Sequence, residues 1–385
     1  MGHGWSMTTM REDTPVRNPL NSSSSNSYGP DGGTFHALLK EIEVFKRIMS
    51  QRSPDVHYSL YDGNSRNFVR EFLFGGFDVY EDGKCVRAGI LMDLRTEGWV
   101  GIPHGGIGMG AIMELATMLG NYPQNTKSRY PLSVDFRMGG ASVKIGDRPN
   151  VEVSQGEGGA AGIISATPDS PPYISASIRY GDTVSYKKDL SASYIPGGIS
   201  DIENKLMPLP HYKNCFVCGA GRNHPGLRRR FHFLDNNDPS RKIVVSTVGM
   251  DAQDSEAFYL FQRNNIIHPI ASAALIDETL GWAGFMASVS GAVTVRISYT
   301  FYRDIRVGER VIAFGRGDKV KGNPGSRLFF WASGGAAVVN KDGTFETVIA
   351  ASGQWLGVPE LTRQMKIELM PKELTERAFR FAGEL

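Results

Sequence analysis

Residues 98–120 read GWVGIPHGGIGMGAIMELATMLG. A glycine-lined loop ends at His104-Gly105-Gly106 and turns straight into a predicted helix. Apolar Ile107, Ala111, Ile112, Leu115, Met118 and Leu119 recur at three- and four-residue spacing, so one stripe is buried. Two glycines at the helix start leave the first amides bare, and the positive end of the helix dipole lies there too. Those N–H groups can meet an oxygen that is gaining negative charge, the raw material of an oxyanion hole. Taken alone, the plainer reading is a glycine turn that only starts a buried helix.

A second copy changes the balance. Residues 262–284 read QRNNIIHPIASAALIDETLGWAG. An apolar lead-in again reaches a histidine, His268, followed by a helix with a stripe at Ile270, Ala273, Ala274, Leu280 and Ala283. Nine residues after His268 stands Asp277, with Glu278 beside it; nine after His104 stands Met113, with Glu114 beside it. One copy keeps the glycines and the other keeps the acid.

HGG, an acid nine residues on and a following Ser/Thr-Val strand resemble the hot-dog-fold acyl-CoA thioesterases of the phenylacetyl-CoA thioesterase type. The lead-in Gly98 to Pro103 is similar to that family's G-x-x-G-I-V before HGG. Cys215-Phe216-Val217-Cys218-Gly219, then Asn223 and Pro225-Gly226-Leu227, resemble the CFVCG…NP-GL opening of one branch. The likeness covers roughly 60–185 and 210–360. It implies an α+β fold: two hot-dog domains in tandem, each an antiparallel sheet wrapped around a long helix, paired as a pseudo-dimer. It also implies that active sites lie between the two units.

The 385 residues exceed one typical domain. Basic and acidic residues are balanced at 42 against 40, which argues against nucleic acid or a polybasic membrane contact as the main partner. No run of 18 apolar residues suggests a membrane span, and the N-terminus lacks the apolar core of a secretory signal. Three cysteines point to a reducing compartment. The expectation is a cytoplasmic protein with acyl-CoA as its partner molecule and no separate cofactor, CoA being part of the substrate. A homo-oligomer of double hot-dog chains is compatible with this.

In chain order, 1–34 reads as a disordered arm and 35–55 as a helix striped by Phe35, Leu38, Leu39, Ile42, Phe45 and Met49. The first hot-dog domain is set at 56–181. Short strands are expected over 56–97, with a clear hairpin at Asp82-Gly83; further strands are expected over 130–138, 151–154, 161–166 and 173–180. Residues 182–212, with Pro196, Pro208 and Pro210, read as a linker. The second domain, 213–360, repeats the plan, with strands over 227–233, 242–248, 292–302, 310–319, 327–339 and 345–355. Residues 361–385 read as a closing helix.

Gly156, Gly158, Gly159 and Gly162 mark either close approach of a ligand or a hairpin tip. Cys215-x-x-Cys218, with His211, His224 and His232 nearby, is a weak zinc signal, and no metal is expected. Cys85, inside a strand, reads as a buried thiol.

One site per chain is expected. Gly105 and Gly106 with Asp277 would make a complete set; His268, Pro269 and Ile270 with Met113 would make none, Pro269 lacking a donor. The Gly106 N–H would polarise the thioester carbonyl. Asp277 would act as general base on water or as nucleophile, and only one of Asp277 and Glu278 should face the cleft. The family likeness gives Thr294 the role of bonding the water or the acid. His104 is expected to shape the loop. Gly98 stands where the family has an Asn. Phe258, Tyr259, Phe261, Trp282 and Phe285 either line an apolar tunnel or fill the core. A hydratase or dehydratase on acyl thioesters and a non-catalytic acyl-CoA binding module remain as alternatives.

Overall fold

The computed structural model describes residues 68–75, 79–99, 101–139, 142–181, 194–195, 205–234, 242–250, 255–323 and 327–365. The expected N-terminal arm and the helix at 35–55 lie outside these residues, as does the chain beyond 365.

In the first half, helix α1 (Phe68–Phe74) precedes strands β1 (Val79–Glu81), β2 (Cys85–Gly89), β3 (Glu97–Trp99) and β4 (Ile102–Pro103). Then come α2 (Gly105–Ala116), the short α3 (Thr126–Arg129), β5 (Leu132–Met138), β6 (Asn150–Gly156), β7 (Gly159–Ser165) and β8 (Ile174–Arg179). The second half runs β9 (Leu206–Pro208), β10 (His232–Leu234), β11 (Ile243–Val248), α4 (Ser255–Tyr259), β12 (Gln262–Arg263), β13 (Ile266–Ile267) and α5 (Pro269–Ser288). It closes with β14 (Ala292–Phe301), β15 (Val311–Lys321), β16 (Phe329–Val339), β17 (Phe345–Gly357) and α6 (Pro359–Gln364).

Thirteen of these strands form one sheet in the order β1-β2-β6-β7-β8-β5-β14-β17-β16-β15-β11-β10-β9. Every neighbouring pair is antiparallel. The halves meet at the β5–β14 seam, where Phe136 faces Ile297 and Val134 faces Tyr299. Each half wraps one long helix. Residues of α2 and α5 from Ile107 to Ala116 and from Ile270 to Met286 are almost all buried, as a helix covered on nearly every side requires. This is a double hot-dog fold.

Small residues let the two helices touch. A methyl group on Gly106 would overlap Ala274, one on Gly110 would overlap Ile270, and one on Gly108 would overlap Ile174 of the sheet. Gly106, Gly108 and Gly110 of HGGIGMG are therefore packing residues on two faces, with side chains missing where another element passes close by, whereas Gly105 has room for a Cβ.

Each helix is led in by a two-stranded ribbon, β3–β4 before α2 and β12–β13 before α5. The backbone is pinned alike in both: His104 N–H donates to Thr96 O at 2.7 Å, and His268 N–H to Phe261 O at 2.8 Å.

Several local expectations change. Residues 68–74, expected as strand, are a helix, because Phe68, Val69, Phe72 and Leu73 recur at helical spacing and are all buried. The stretch read as a linker contains β9, an edge strand paired to β10 despite its proline. Strand over 227–233 shrinks to β10, because Leu227 and Arg229 bond back to the Phe216–Val217 backbone. The closing helix begins at Pro359, before the expected boundary. Gly156 and Gly159 pair at the tip of the β6–β7 hairpin, with Gly158 at φ +68, whereas Gly162 faces Ile112.

Candidate active site

Both histidines cap their helices. The Nδ1 of His104 accepts the Gly106 N–H at 3.0 Å, and the Nδ1 of His268 accepts the Ile270 N–H at 3.1 Å. The second ring nitrogen crosses to the other helix: His104 Nε2 lies 3.1 Å from Glu278 Oε2, and His268 Nε2 lies 2.9 Å from Glu114 Oε2. The glutamate that follows the acid position in each copy thus ties one helix to the histidine of the other. A nitrogen that accepts an amide carries no proton, so each capped ring is the Nε2–H tautomer.

This corrects the role given to Gly106, whose N–H is taken by the cap. The amide one residue earlier differs. Gly105 opens α2, its N–H precedes the first intrahelical bond, and it has no acceptor among the described residues. Its counterpart in α5 is Pro269, which has no N–H.

Asp277 stands beside Gly105: a Cβ added there would sit 3.4 Å from Asp277 Oδ2. Thr294 donates its hydroxyl hydrogen to Asp277 Oδ1 at 2.9 Å. The register of β14 against β17 slips between Thr294 and Arg296, a bulge next to the residue that bonds the acid. Burial raises the pKa of Asp277, and the neighbouring Glu278 adds to that; the Thr294 hydrogen bond pulls it back.

Gly105, Asp277 and Thr294 all line a cavity of about 450 Å³ between the halves. Its remaining wall is largely aromatic and aliphatic, with Trp99, Tyr173, Tyr212, Trp282 and Trp355 prominent. Burial, and then the Asp277 charge, lift the Tyr173 hydroxyl to about 12, so it enters as a neutral donor. Of the five aromatic residues considered from sequence, Trp282 and Phe285 reach the cavity, Phe258 and Phe261 fill the core, and Tyr259 packs half-buried against that core. Both Asp277 and Glu278 face the cavity, against the expectation of one, because Glu278 turns toward His104 at its rim.

His104, Cys215 and Glu278 bring metal-ligating atoms within 4.8 Å of one another. The cap argues against a metal at that ring: a metal on Nε2 moves the proton to Nδ1, where the Gly106 N–H already points. The pressures on His104 conflict in the same way. Burial disfavours its charge, while the Glu278 hydrogen bond favours it and lifts the pKa to about 9. An imidazolium would set two N–H groups against each other at the cap, so the capped ring is neutral. The cysteines bond locally. The N–H groups of Val217 and Cys218 donate to Cys215 Sγ at 3.3 and 3.4 Å, and the Cys215 thiol donates to Glu278 Oε2 at 3.6 Å. Cys85 is a half-buried strand residue, its thiol pushed up by burial first.

The pseudo-symmetric position is filled. Glu114 is fully buried and holds Arg70 of α1 at 2.6 Å, as well as Arg263 and His268. Burial alone would raise its pKa, but the His268 bond and the Arg263 and Arg70 partners bring it down to about 2. Phe68 and Phe72 of α1 pack edge-on against Phe261 there. Met113, in the acid position, is buried.

No protein-family model matches the chain, and no curated protein matches it. Among solved structures, it is similar to a putative thioesterase from Novosphingobium aromaticivorans: 12% identity over 74% of this chain and 99% of that one, TM-score 0.48. A tesB protein from Mycobacterium avium subspecies paratuberculosis gives 11% identity, 76% and 99% coverage and a TM-score of 0.47. The dehydratase domain of PpsC from Mycobacterium tuberculosis, in complex with C12:1-CoA, gives 13%, 74% and 98%, and 0.42. The chemistry is therefore read from the site's own residues.

Proposed function

We propose that the chain hydrolyses an acyl-CoA thioester at one site between its hot-dog halves. One observation carries this reading: the Gly105 amide, without an acceptor among the described residues, and the Thr294-bonded Asp277 carboxylate, from different helices, face one largely apolar cavity.

The Gly105 N–H would donate to the thioester carbonyl oxygen as it gains charge, helped by the dipole of α2. Asp277 would take a proton from water as the water oxygen bonds to the carbonyl carbon. Collapse of the tetrahedral intermediate breaks the C–S bond, and the CoA thiolate leaves and takes up a proton. Direct attack by Asp277, through a mixed anhydride that water then opens, uses the same two groups. Thr294 fixes the carboxylate's rotamer in either route.

A dehydratase would need a histidine free to move a proton at substrate carbon. Both nitrogens of His104 are committed, Nδ1 to the cap and Nε2 to Glu278, and this favours hydrolysis. A panel of acyl-CoA thioesters with detection of free thiol tests the reading. Thiol release that Asp277→Asn abolishes supports it; a wild-type protein inert on the whole panel, or release undiminished in Asp277→Asn, overturns it.

A further inference from the structure

CFVCG is a motif that the hydrolytic step leaves unused, and Glu278 is a half-buried carboxylate beside the base that the step does not consume. The two meet. The Gly106 N–H donates to His104 Nδ1, His104 Nε2–H donates to Glu278 Oε2, and the Cys215 thiol donates to that same oxygen. Cys215 is in turn held by two backbone amides of its own turn, and the Gly219 N–H closes that turn on Cys215 O at 2.9 Å. The neighbouring Phe216 N–H donates to Glu97 O at 2.6 Å, so the turn is anchored to the ribbon that leads into α2.

The direction of these bonds matters. A ring with its proton on Nδ1 would have no acceptor for the Gly106 N–H. That amide and the Gly105 amide would then both be bare, and an incoming oxygen could sit on either. With the proton on Nε2, Gly106 is satisfied and Gly105, beside Asp277, is the donor that remains. A carboxylate at Nε2 is what selects that tautomer, because it accepts and cannot donate. The second half makes the comparison: Glu114 does the same for His268, but arginines replace the cysteine and Pro269 replaces the bare amide, so the selection there leaves nothing to present.

We propose that Glu278, fastened by the Cys215 thiol, is a positioning residue that keeps the His104 proton on Nε2 and so makes the Gly105 amide the donor offered to the thioester oxygen. The proposal rests on the hydrolytic reading of this site, and it assigns CFVCG a place in it: a hydrogen-bond donor to the glutamate.

NMR of the intact chain labelled with ¹⁵N-histidine reads the proton directly. The His104 signal, assigned by its loss in His104→Asn, is expected as the Nε2–H tautomer in wild type and without that fixed form in Glu278→Ala. In acyl-CoA turnover, Glu278→Ala should lower kcat by about 10- to 100-fold, the order found when a carboxylate that fixes a metal-bound histidine's tautomer is lost, with KM little changed. Glu278→Gln, whose amide oxygen still accepts from Nε2–H, should recover most of that loss, and Cys215→Ala should fall between the two. A His104 proton on Nδ1 in wild type overturns the proposal, as does wild-type kcat in Glu278→Ala or a Gln variant no better than Ala. If Glu278→Ala does not fold, the wild-type tautomer and the Gln variant still decide it. The NMR result needs no turnover, so it can fail while hydrolysis stands; loss of the hydrolytic reading would appear instead in the Asp277→Asn comparison.

Discussion

Gly105 and Pro269 occupy the same position in two halves of one chain, the first residue of a long helix that follows a capping histidine. The backbone before them is nearly the same, with His104 at φ −68, ψ 131 and His268 at φ −68, ψ 141. The residue before a proline favours such extended angles, so the first helix already has the geometry that the second uses to accept proline.

That equivalence yields a direct test of the amide. Gly105→Pro should fold, since proline suits the first position of a helix, and should remove one N–H. Loss of an oxyanion donor costs about 10²–10³ in kcat. Gly106→Pro is a poorer experiment, because any Cβ at 106 overlaps Ala274 and the cap is lost as well. Comparing kcat and melting temperature of Gly105→Pro and Gly106→Ala checks the pair: activity should fall in the first, stability in the second.

Asp277→Asn should lower turnover by about 10²–10⁴ while leaving the fold intact. It should also stabilise the protein at neutral pH. The folded pKa of Asp277 is raised above its unfolded value, so its favourable contribution is present below the unfolded pKa and is lost as pH rises through the folded one. Asparagine removes the cost of that buried ionised group. The melting temperature of the variant should exceed wild type near pH 7, and the gap should close in acid. A base with a raised pKa also moves the acid limb of kcat/KM upward. Thr294→Val, which deletes a hydrogen bond that lowers the Asp277 pKa, should move that limb further up.

Glu114→Gln should cost stability and spare turnover. Its buried carboxylate holds His268 and the part-exposed Arg70 and Arg263; since those arginines keep contact with water, the loss should stay below the roughly 3–5 kcal/mol of breaking a fully buried pair. Turnover per folded molecule should hold while stability drops. The pKa of about 2 lies below the ordinary value of 4.5, so the stability Glu114 supplies is present above 4.5 and is lost as pH falls toward 2. Denaturant melts of wild type and variant should differ most near neutrality and converge through that window. Met113→Asp should add no second turnover centre, because Pro269 offers no amide.

Protein purified without added metal should contain no stoichiometric zinc, and a chelator should leave turnover unchanged. The reason is the cap on His104 Nδ1, which keeps a proton on the nitrogen a metal would need. One zinc per chain in metal analysis would mean the ring is turned.

Much of this was legible in the sequence, because it rests on short-range pattern. Helical stripes after His104 and His268, the turn glycines at Gly83 and Gly343 and the β-branched run of β14 each follow from neighbouring residues. The family likeness had also singled out Asp277 and Thr294, and the two side chains do meet, at 2.9 Å. What escaped was long-range. Nothing near Glu278 announces that it meets His104 and Cys215, residues 174 and 63 positions away. The engaged Gly106 amide escaped too, since a histidine before two glycines reads as a loop residue until its Nδ1 is seen to cap. Helix α1 was hidden inside a stretch read as short strands. Its apolar spacing was a usable signal, and Gly75 could have been read as its end.

The β5–β14 seam joins units that form part of a single covalent chain. In an assembly of two identical subunits, any substitution appears twice, and a change that spoils one catalytic pocket spoils its twin. Fusion removes that constraint. A proline could enter at 269 and a methionine at 113 without touching the glycine at 105 or the aspartate at 277, and two arginines could close the vacated pocket around Glu114. Under the proposed reading the second half becomes a keel: it steadies the first and still lends the cavity Asp277, Thr294 and Glu278 with its Cys215 partner, while Met113 and Pro269 offer neither acid nor amide.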